Sequence, residues 1–207
     1  MILKRNRLAA LTKCRFVGNR MSSVTDSILR RVSSPKLCSP GPARSEVLKI
    51  VECATRAPDH GRLKPWKFVV VQGEGLEALG ALFEKSLLSS TPEASEAKKT
   101  KTRSMPLRAP LIIVAIAKVT AEHKVPVIEQ VAATAAAIQN MQLAAIDLGY
   151  GAMWRTGGMA YSEVVRAHFD LEAEDQIVGY LYLGTPVGEP KEIKPQEMSE
   201  CVEFWDK

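Results

Sequence analysis

The sequence predicts an α+β domain in which helices cover both faces of a mixed central sheet, as a three-layer α/β/α sandwich. Two helical segments come first, and strands interleaved with helices follow. The seven-residue apolar run Leu111 to Ala117 is typical of a strand buried on both faces. The Ala-rich segment Glu129 to Leu148 has no Gly or Pro, which predicts a long helix that ends at Gly149.

The first half of the chain supplies three predicted helices and one strand. The helix over 23–31 would turn Val24, Ile28 and Leu29 inward. A second helix is expected over 45–54, a strand over 67–72 and a third helix over 76–88.

The second half of the chain supplies most of the predicted sheet. The polar segment 89–108 predicts either a mobile loop or a solvated helix. After the central helix, a strand is expected over 151–154, a short helix over 161–168 and a last strand over 176–183. The central helix is apolar nearly all round, which indicates burial in the core or at a subunit interface.

Composition limits the class of protein. The chain has 207 residues, 46% of them hydrophobic, which suits one domain with a core. Its four cysteines lack C-x-x-C spacing, so we expect a reduced, cytoplasmic protein without a disulfide framework. The net charge of +5 comes from basic residues that precede Asp26, and the remainder is nearly balanced. Charge therefore gives no indication of nucleic-acid binding.

The basic leader Met1 to Arg20 allows three interpretations. It has the composition of an organelle transit peptide. A disordered extension, or a start placed upstream of a true start at Met21, explains it equally simply, and we favour these readings. We therefore divide the chain into an extension over 1–21 and a domain over 22–207. No secretory or transmembrane run is present in the sequence.

Several motifs carry candidate chemistry. Arg30 and Arg31, followed by Ser33, could clamp a phosphate, although the helix dipole alone also favours arginine there. The three histidines show no metal-ligand spacing, so no metal is expected. Gly73-x-Gly75 follows a strand but lacks the acidic residue of a second strand about 20 residues on, which argues against a dinucleotide-binding fold.

The motifs gain meaning from their joint order. They are R-R-x-S, R-A-P-D-H-x-x-x-x-P-W-x-F, H-K-V-P-x-x-E, the Ala-rich helix, G-Y-G-x-x-W-R-T-G and I-V-G-Y-L-Y-L-G-T-P. This combination resembles the nitroreductase family of FMN flavoproteins, and it is most like the compact branch of minimal NAD(P)H nitroreductases. The resemblance spans about 23–195.

The resemblance implies a homodimer with two FMN sites at the subunit interface. The residues that match FMN contacts of the family are Arg30, Arg31, Val32, Ser33, Arg56, His60, Trp154, Arg155 and Thr156, with Lys191 or Lys194 as a C-terminal phosphate ligand. Arg56 and His60 would reach FMN from the second subunit. The stretch that matches an NAD(P)H site is Ala144, Ala145, Ile146, Asp147, Leu148 and Gly149.

The implied activity is a ping-pong reaction in which NAD(P)H passes hydride to flavin N5 and an electron-poor acceptor then takes the electrons. Nitroaromatics and quinones are the expected acceptors, and no catalytic side chain is required. Two other functions stay open at this point. One is a flavin-binding chaperone or sensor with weak or lost activity, and the other is a non-flavin interaction module.

Overall fold

The computed structural model describes residues 23–206, so the predicted leader lies outside the described residues. The helices are α1 (Val24–Arg30), α2 (Arg44–Ala54), α3 (Glu74–Ser90), α4 (Glu96–Arg103), α5 (Val127–Asp147) and α6 (Glu163–His168). The strands are β1 (Leu37–Cys38), β2 (Trp66–Gln72), β3 (Leu111–Ala117), β4 (Gly151–Arg155) and β5 (Gln176–Pro186).

The five strands form one sheet with β5 at its centre. β5 pairs with β3, β4 and β1, and β2 pairs with β3. Every pairing among the described residues is antiparallel, so the prediction of a mixed sheet was wrong. The reason is topological: α5 connects β3 to β4, but β5 inserts between these two strands and runs opposite to both. The antiparallel β2–β3 pair also excludes the dinucleotide-binding arrangement, which needs parallel neighbours.

Strand β3 separates two hydrophobic clusters. Its bounds are those predicted, and each of its residues is at most 1% exposed. Because side chains alternate along a strand, Leu111, Ile113 and Ala115 pack toward α2 and α5. Ile112, Val114 and Ile116 pack with side chains of α3 and α6. Helices therefore lie against both faces of the sheet.

The central helix α5 confirms the long Ala-rich prediction. It ends at Asp147, and Gly149 takes a φ of 88°, the left-handed conformation expected after a helix. Its burial is less complete than predicted. Gln130, Thr134 and Ala137 are buried, whereas Ala132 is exposed, as is Ile128 just before the predicted start, at 71%. Within the described chain, α5 therefore keeps an exposed apolar edge.

Helix α1 contradicts the predicted inward face. Val24, Ile28 and Leu29 are 73%, 48% and 66% exposed, while Ser27 is buried. Ser23 and Asp26 cap the helix reciprocally, so its start follows local sequence. The apolar spacing identified a face, but the described residues do not cover it.

The polar segment over 89–108 is largely helical, which supports the second of its two interpretations. Ser95 caps α4, and the Arg103 guanidinium donates to the Glu84 carboxylate of α3 at 2.9 Å. Gly80 allows this packing, because a Cβ there would lie 2.2 Å from the Arg103 carbonyl oxygen. None of the helices over 23–206 is long and apolar enough to cross a membrane.

Candidate functional site

A cavity of about 620 Å³, called here the Arg30 cavity, opens beside the end of α5. Residues from three segments line it: Arg30 to Lys36, Ile146 to Gly151, and Pro186 to Lys191. Its volume lies within the roughly 300–1,000 Å³ typical of small-molecule sites. The cavity thus brings residues near both ends of the described chain to one place.

Backbone hydrogen bonds fix these segments to the sheet. The Ser34 N–H donates to the Ala152 carbonyl of β4 at 2.9 Å, and the Val187 N–H donates to the Lys36 carbonyl at 3.1 Å. Gly151 is needed where they meet, because an added Cβ would lie 2.8 Å from Leu37 and 3.0 Å from Ser34. The two segments are therefore held against β4 by the fold itself.

The lining of the Arg30 cavity combines three cations and one carboxylate, Glu189, with apolar surface. Arg30, Lys36 and Lys191 supply positive charge, and Ser33 and Ser34 supply hydroxyls. Arg30 is oriented by its Nε, which donates to the Asp26 carbonyl at 3.2 Å. Val32, Pro186 and Ile146 add apolar wall. This donor set fits a phosphate attached to a partly apolar molecule.

Tyr150 closes the α2 side of the Arg30 cavity. Its hydroxyl donates to the Glu46 carboxylate at 2.7 Å, and the same carboxylate caps α2 by accepting from the Ala43 N–H at 2.8 Å. Burial first, and then the hydrogen bond and charge of Glu46, raise the pKa of Tyr150 to about 12. The tyrosine is thus a neutral structural donor.

A second cavity of about 410 Å³, the Tyr182 cavity, lies on the α3 side of the sheet. Phe83, Tyr180 and Tyr182 form its aromatic wall, and Arg108 and Arg155 bring positive charge to it. The rings of Phe83 and Tyr180 meet edge to face with centroids 5.4 Å apart. The Tyr180 hydroxyl donates to the Met159 carbonyl at 3.0 Å, which fixes that wall.

The two arginines act on Tyr182. The Arg155 guanidinium lies 5.5 Å from the centre of the Tyr182 ring. Burial raises the pKa of Tyr182, and the charges of Arg108 and Arg155 partly oppose that rise. The Arg155 Nε is buried and has no hydrogen-bond partner among the described residues. This cavity therefore holds cationic donor capacity that the described chain leaves unused.

The predicted FMN contacts divide between the two cavities. Arg30, Val32 and Ser33 line the Arg30 cavity, whereas Trp154, Arg155 and Thr156 line the Tyr182 cavity. Of the two candidate C-terminal lysines, Lys191 lines the Arg30 cavity and Lys194 lines neither. Arg31 caps α1 through its N–H, which donates to the Ile28 carbonyl, and its side chain also lines neither cavity.

Arg56 and His60 are exposed and lie outside both cavities. The His60 Nδ1 is 2.6 Å from the Glu129 carboxylate at the start of α5. Since a carboxylate only accepts, Nδ1 carries the proton and Nε2 is the nitrogen left for another partner. A single chain thus does not assemble every predicted contact.

The predicted NAD(P)H stretch is the last turn of α5 and the residues after it. Ala145 is fully buried and Asp147 is exposed. Ile146 is the member of the stretch that lines the Arg30 cavity. A helix end with alternating burial offers few side chains to a nucleotide. The role of this stretch in NAD(P)H binding stays a prediction.

Sequence reasoning missed Lys36 and Tyr150 in the first cavity and Phe83, Arg108 and Tyr182 in the second. Arg108 could have been noticed in the sequence, because it directly precedes Ala-Pro and the buried strand β3. Tyr180 and Tyr182 are two residues apart on β5, so they share one sheet face. These tyrosines meet Phe83 only because α3 packs on this face of the sheet, and the order of residues in the chain does not predict that contact.

These features define a class of protein: an α+β domain with one cavity whose lining fits a phosphorylated, partly apolar ligand and a second, arginine-bearing aromatic cavity. The comparisons with known proteins identify the family. The model of the nitroreductase family matches residues 30–185, and the chain belongs to that family.

The relatives agree with the expected branch. The chain is 40% identical over 159 residues to the "Putative NAD(P)H nitroreductase YdjA" of Escherichia coli (strain K12), covering 77% of this chain and 86% of YdjA. It is 32% identical over 156 residues to the "Putative NAD(P)H nitroreductase" of Haemophilus influenzae, covering 75% of this chain and 84% of that protein. YdjA typifies the compact branch, so the predicted resemblance is confirmed.

Solved structures support the fold. The nitroreductase-like family protein from Bacillus cereus superposes with a TM-score of 0.77 at 24% identity, covering 92% of this chain and all of that one. A mutant of the FMN- and NADPH-dependent nitroreductase NfnB from a Sphigopyxis strain gives a TM-score of 0.71 at 17% identity, covering 90% of this chain and all of that one.

Proposed function

We propose that this chain is an FMN-dependent NAD(P)H oxidoreductase that reduces electron-poor acceptors such as nitroaromatics and quinones. One observation carries the proposal: the Arg30 cavity joins Arg30, Lys191 and two serine hydroxyls to an apolar wall. FMN has the matching parts, a dianionic phosphate and a flat apolar ring system. The family membership and the names of the relatives support the same activity.

In this proposal, the chain's residues bind and orient the cofactor. The Arg30 guanidinium, held by the Asp26 carbonyl, and the Lys191 ammonium hold the phosphate. Lys194 is replaced by Lys191 in this role, because Lys191 lines the cavity. Arg155 ends β4 and Thr156 follows it, and we propose that backbone N–H groups of this turn face the ring system.

Bound FMN would supply the redox chemistry, taking two electrons and a proton from NAD(P)H and passing electrons to the acceptor. For a nitro compound, the balanced two-electron reaction consumes NAD(P)H and one proton, and it yields the nitroso compound, NAD(P)⁺ and water. The chain's own contribution is binding, orientation and electrostatics.

We propose that two chains form a homodimer of three-layer sandwiches with FMN in the seam. Exposed apolar side chains on α1, α2 and α5 support this proposal, because an aqueous surface does not favour them; they are Val24, Ile28, Leu29, Leu48 and Ile128. Exposed Arg56 and His60 then remain available to the partner's FMN. We also propose that residues 144–149 contact NAD(P)H and that the protein is cytoplasmic.

Colour tests the proposal directly. Purified protein should be yellow, release FMN on denaturation and bleach when NADH or NADPH is added without oxygen. A nitroaromatic or quinone should then restore the colour. A yellow protein that neither nicotinamide bleaches would instead support a flavin-binding protein without reductase activity. A colourless protein that cannot be reconstituted with FMN would contradict both flavin functions.

A further inference from the structure

We propose that the Tyr182 cavity is the acceptor subsite, and that it favours small aromatic acceptors carrying a carboxylate, with Arg108 as the residue that determines this preference. The inference rests on the proposed reductase function and adds the chemical class of the acceptor. It also assigns a role to a side chain that the FMN site does not use.

The charge of the cavity is the first argument. Neither Arg108 nor Arg155 forms an ion pair with a carboxylate within residues 23–206. Other arginines of the chain do: Arg103 pairs with Glu84, and Arg166 pairs with Glu163. Two half-buried guanidiniums around one cavity, one of them with an unpartnered buried Nε, are complementary to an anion.

The walls of the cavity argue for an aromatic anion. Phe83 and Tyr180 are each 2% exposed, and Tyr182 is 4% exposed. Met105, Met153 and Met159 complete the apolar lining. Thioethers and aromatic rings contact a flat ring favourably, and the thioethers donate no hydrogen bond to a bare inorganic anion. A substituted benzene ring suits a volume of about 410 Å³.

The position of the cavity connects it with the proposed cofactor. Gly151 lines the Arg30 cavity and Arg155 lines the Tyr182 cavity, at the two ends of β4. Four residue steps of a strand span about 13 Å. Thr156, which the proposed function assigns to FMN binding, also lines the Tyr182 cavity. An acceptor bound in this cavity would therefore lie next to a residue that the proposal assigns to the cofactor.

Binding of a redox-inert probe tests the cavity without depending on turnover. We would titrate the purified full chain, with whatever FMN it retains, with 4-methylbenzoate by isothermal calorimetry. Arg108→Gln should weaken binding at least tenfold, which corresponds to about 1.4 kcal/mol. Arg103→Gln removes the same charge from an arginine paired with Glu84 outside the cavity, and it should leave the affinity unchanged.

Steady-state kinetics provide a second test of the inference. We would compare kcat/KM for 4-nitrobenzoate with that for 4-nitrobenzamide, which has the same shape without the charge. Wild type should favour the carboxylate, and Arg108→Gln should reduce the ratio of the two values at least tenfold. Arg103→Gln should preserve the ratio.

Three results would overturn the inference: a ratio unaltered by Arg108→Gln, a 4-methylbenzoate affinity independent of Arg108, or inorganic phosphate binding that Arg108→Gln weakens and that is tighter than the binding of 4-methylbenzoate. The last would mean a general anion site. Failure of the reductase function is separate, since it would show as absent FMN or absent bleaching while the calorimetric arm still reports on the cavity.

Discussion

The Arg30 cavity and the Tyr182 cavity lie at opposite ends of β4, and they are built from different kinds of structure. The first is lined by exposed cations on segments that flank the sheet, such as Arg30 and Lys191. The second is lined by side chains of the core, such as Phe83 and Tyr180. Substitutions in the first should therefore change ligand affinity with little effect on folding, whereas substitutions that disturb the core side chains of the second should change stability as well.

The largest expected effect is on stability, at Gly179, which packs against Trp154 of the Tyr182 cavity. A Cβ at Gly179 would lie 2.0 Å from the Trp154 Nε1, which donates to the Val178 carbonyl at 3.2 Å. Gly179→Ala should displace the indole and lower the free energy of unfolding by about 3 kcal/mol, the upper range for overpacking. Urea unfolding followed by circular dichroism measures the loss. Gly158→Ala is the matched control, because a Cβ there meets nothing within 4 Å; equal stability of the two variants would contradict the comparison.

The next effect concerns ligand affinity at the Arg30 cavity. Arg30→Ala should weaken FMN binding by about 2 kcal/mol, the usual range for a hydrogen bond to a charged group. The unfolding midpoint of the FMN-free protein should hardly change, since Arg30 is exposed. Fluorescence titration with FMN measures the affinity. Arg44→Ala removes an exposed cation outside both cavities and should bind FMN as wild type does; unchanged affinity in Arg30→Ala would remove this residue from the site.

A smaller effect is expected where the Arg30 cavity meets the core. Tyr150→Phe loses the hydrogen bond to Glu46 and should cost about 1 kcal/mol of stability at neutral pH. The folded pKa of about 12 lies above the ordinary value of about 10. The contribution is therefore complete below pH 10 and is lost as pH rises toward 12. Urea unfolding of both proteins over this range should show the difference shrinking, and a difference that grows with pH would contradict the assignment.

The smallest effect separates the two C-terminal lysines. Lys191→Ala should weaken FMN binding by about 0.5 kcal/mol, as expected for an exposed ion pair. Lys194→Ala should have no effect, because Lys194 lines neither cavity. The same fluorescence titration compares them. A larger loss in Lys194→Ala would instead assign the phosphate contact to Lys194.

Much of the fold was predictable because its signals are local. The continuous apolar run of β3 and the Ala-rich composition of α5 gave both elements with nearly correct bounds. The site was predictable in part, since Arg30 and Ser33 share a short motif and do meet in a cavity. The mixed sheet was wrong because strand direction depends on which strands become neighbours. The prediction that α1 turns its apolar face inward was wrong, because periodicity identifies an apolar face but not the residues that cover it.

The sequence by itself determined the helices, the buried strand and the family, because capping, periodicity and motif order are properties of neighbouring residues. The tertiary structure alone decided that Lys191 rather than Lys194 lines the Arg30 cavity, and that Arg108, Arg155 and Tyr182 line one cavity. These groups are far apart in the chain. They come together only when β5 pairs with β3 and β4, since that pairing fixes the distances between their side chains.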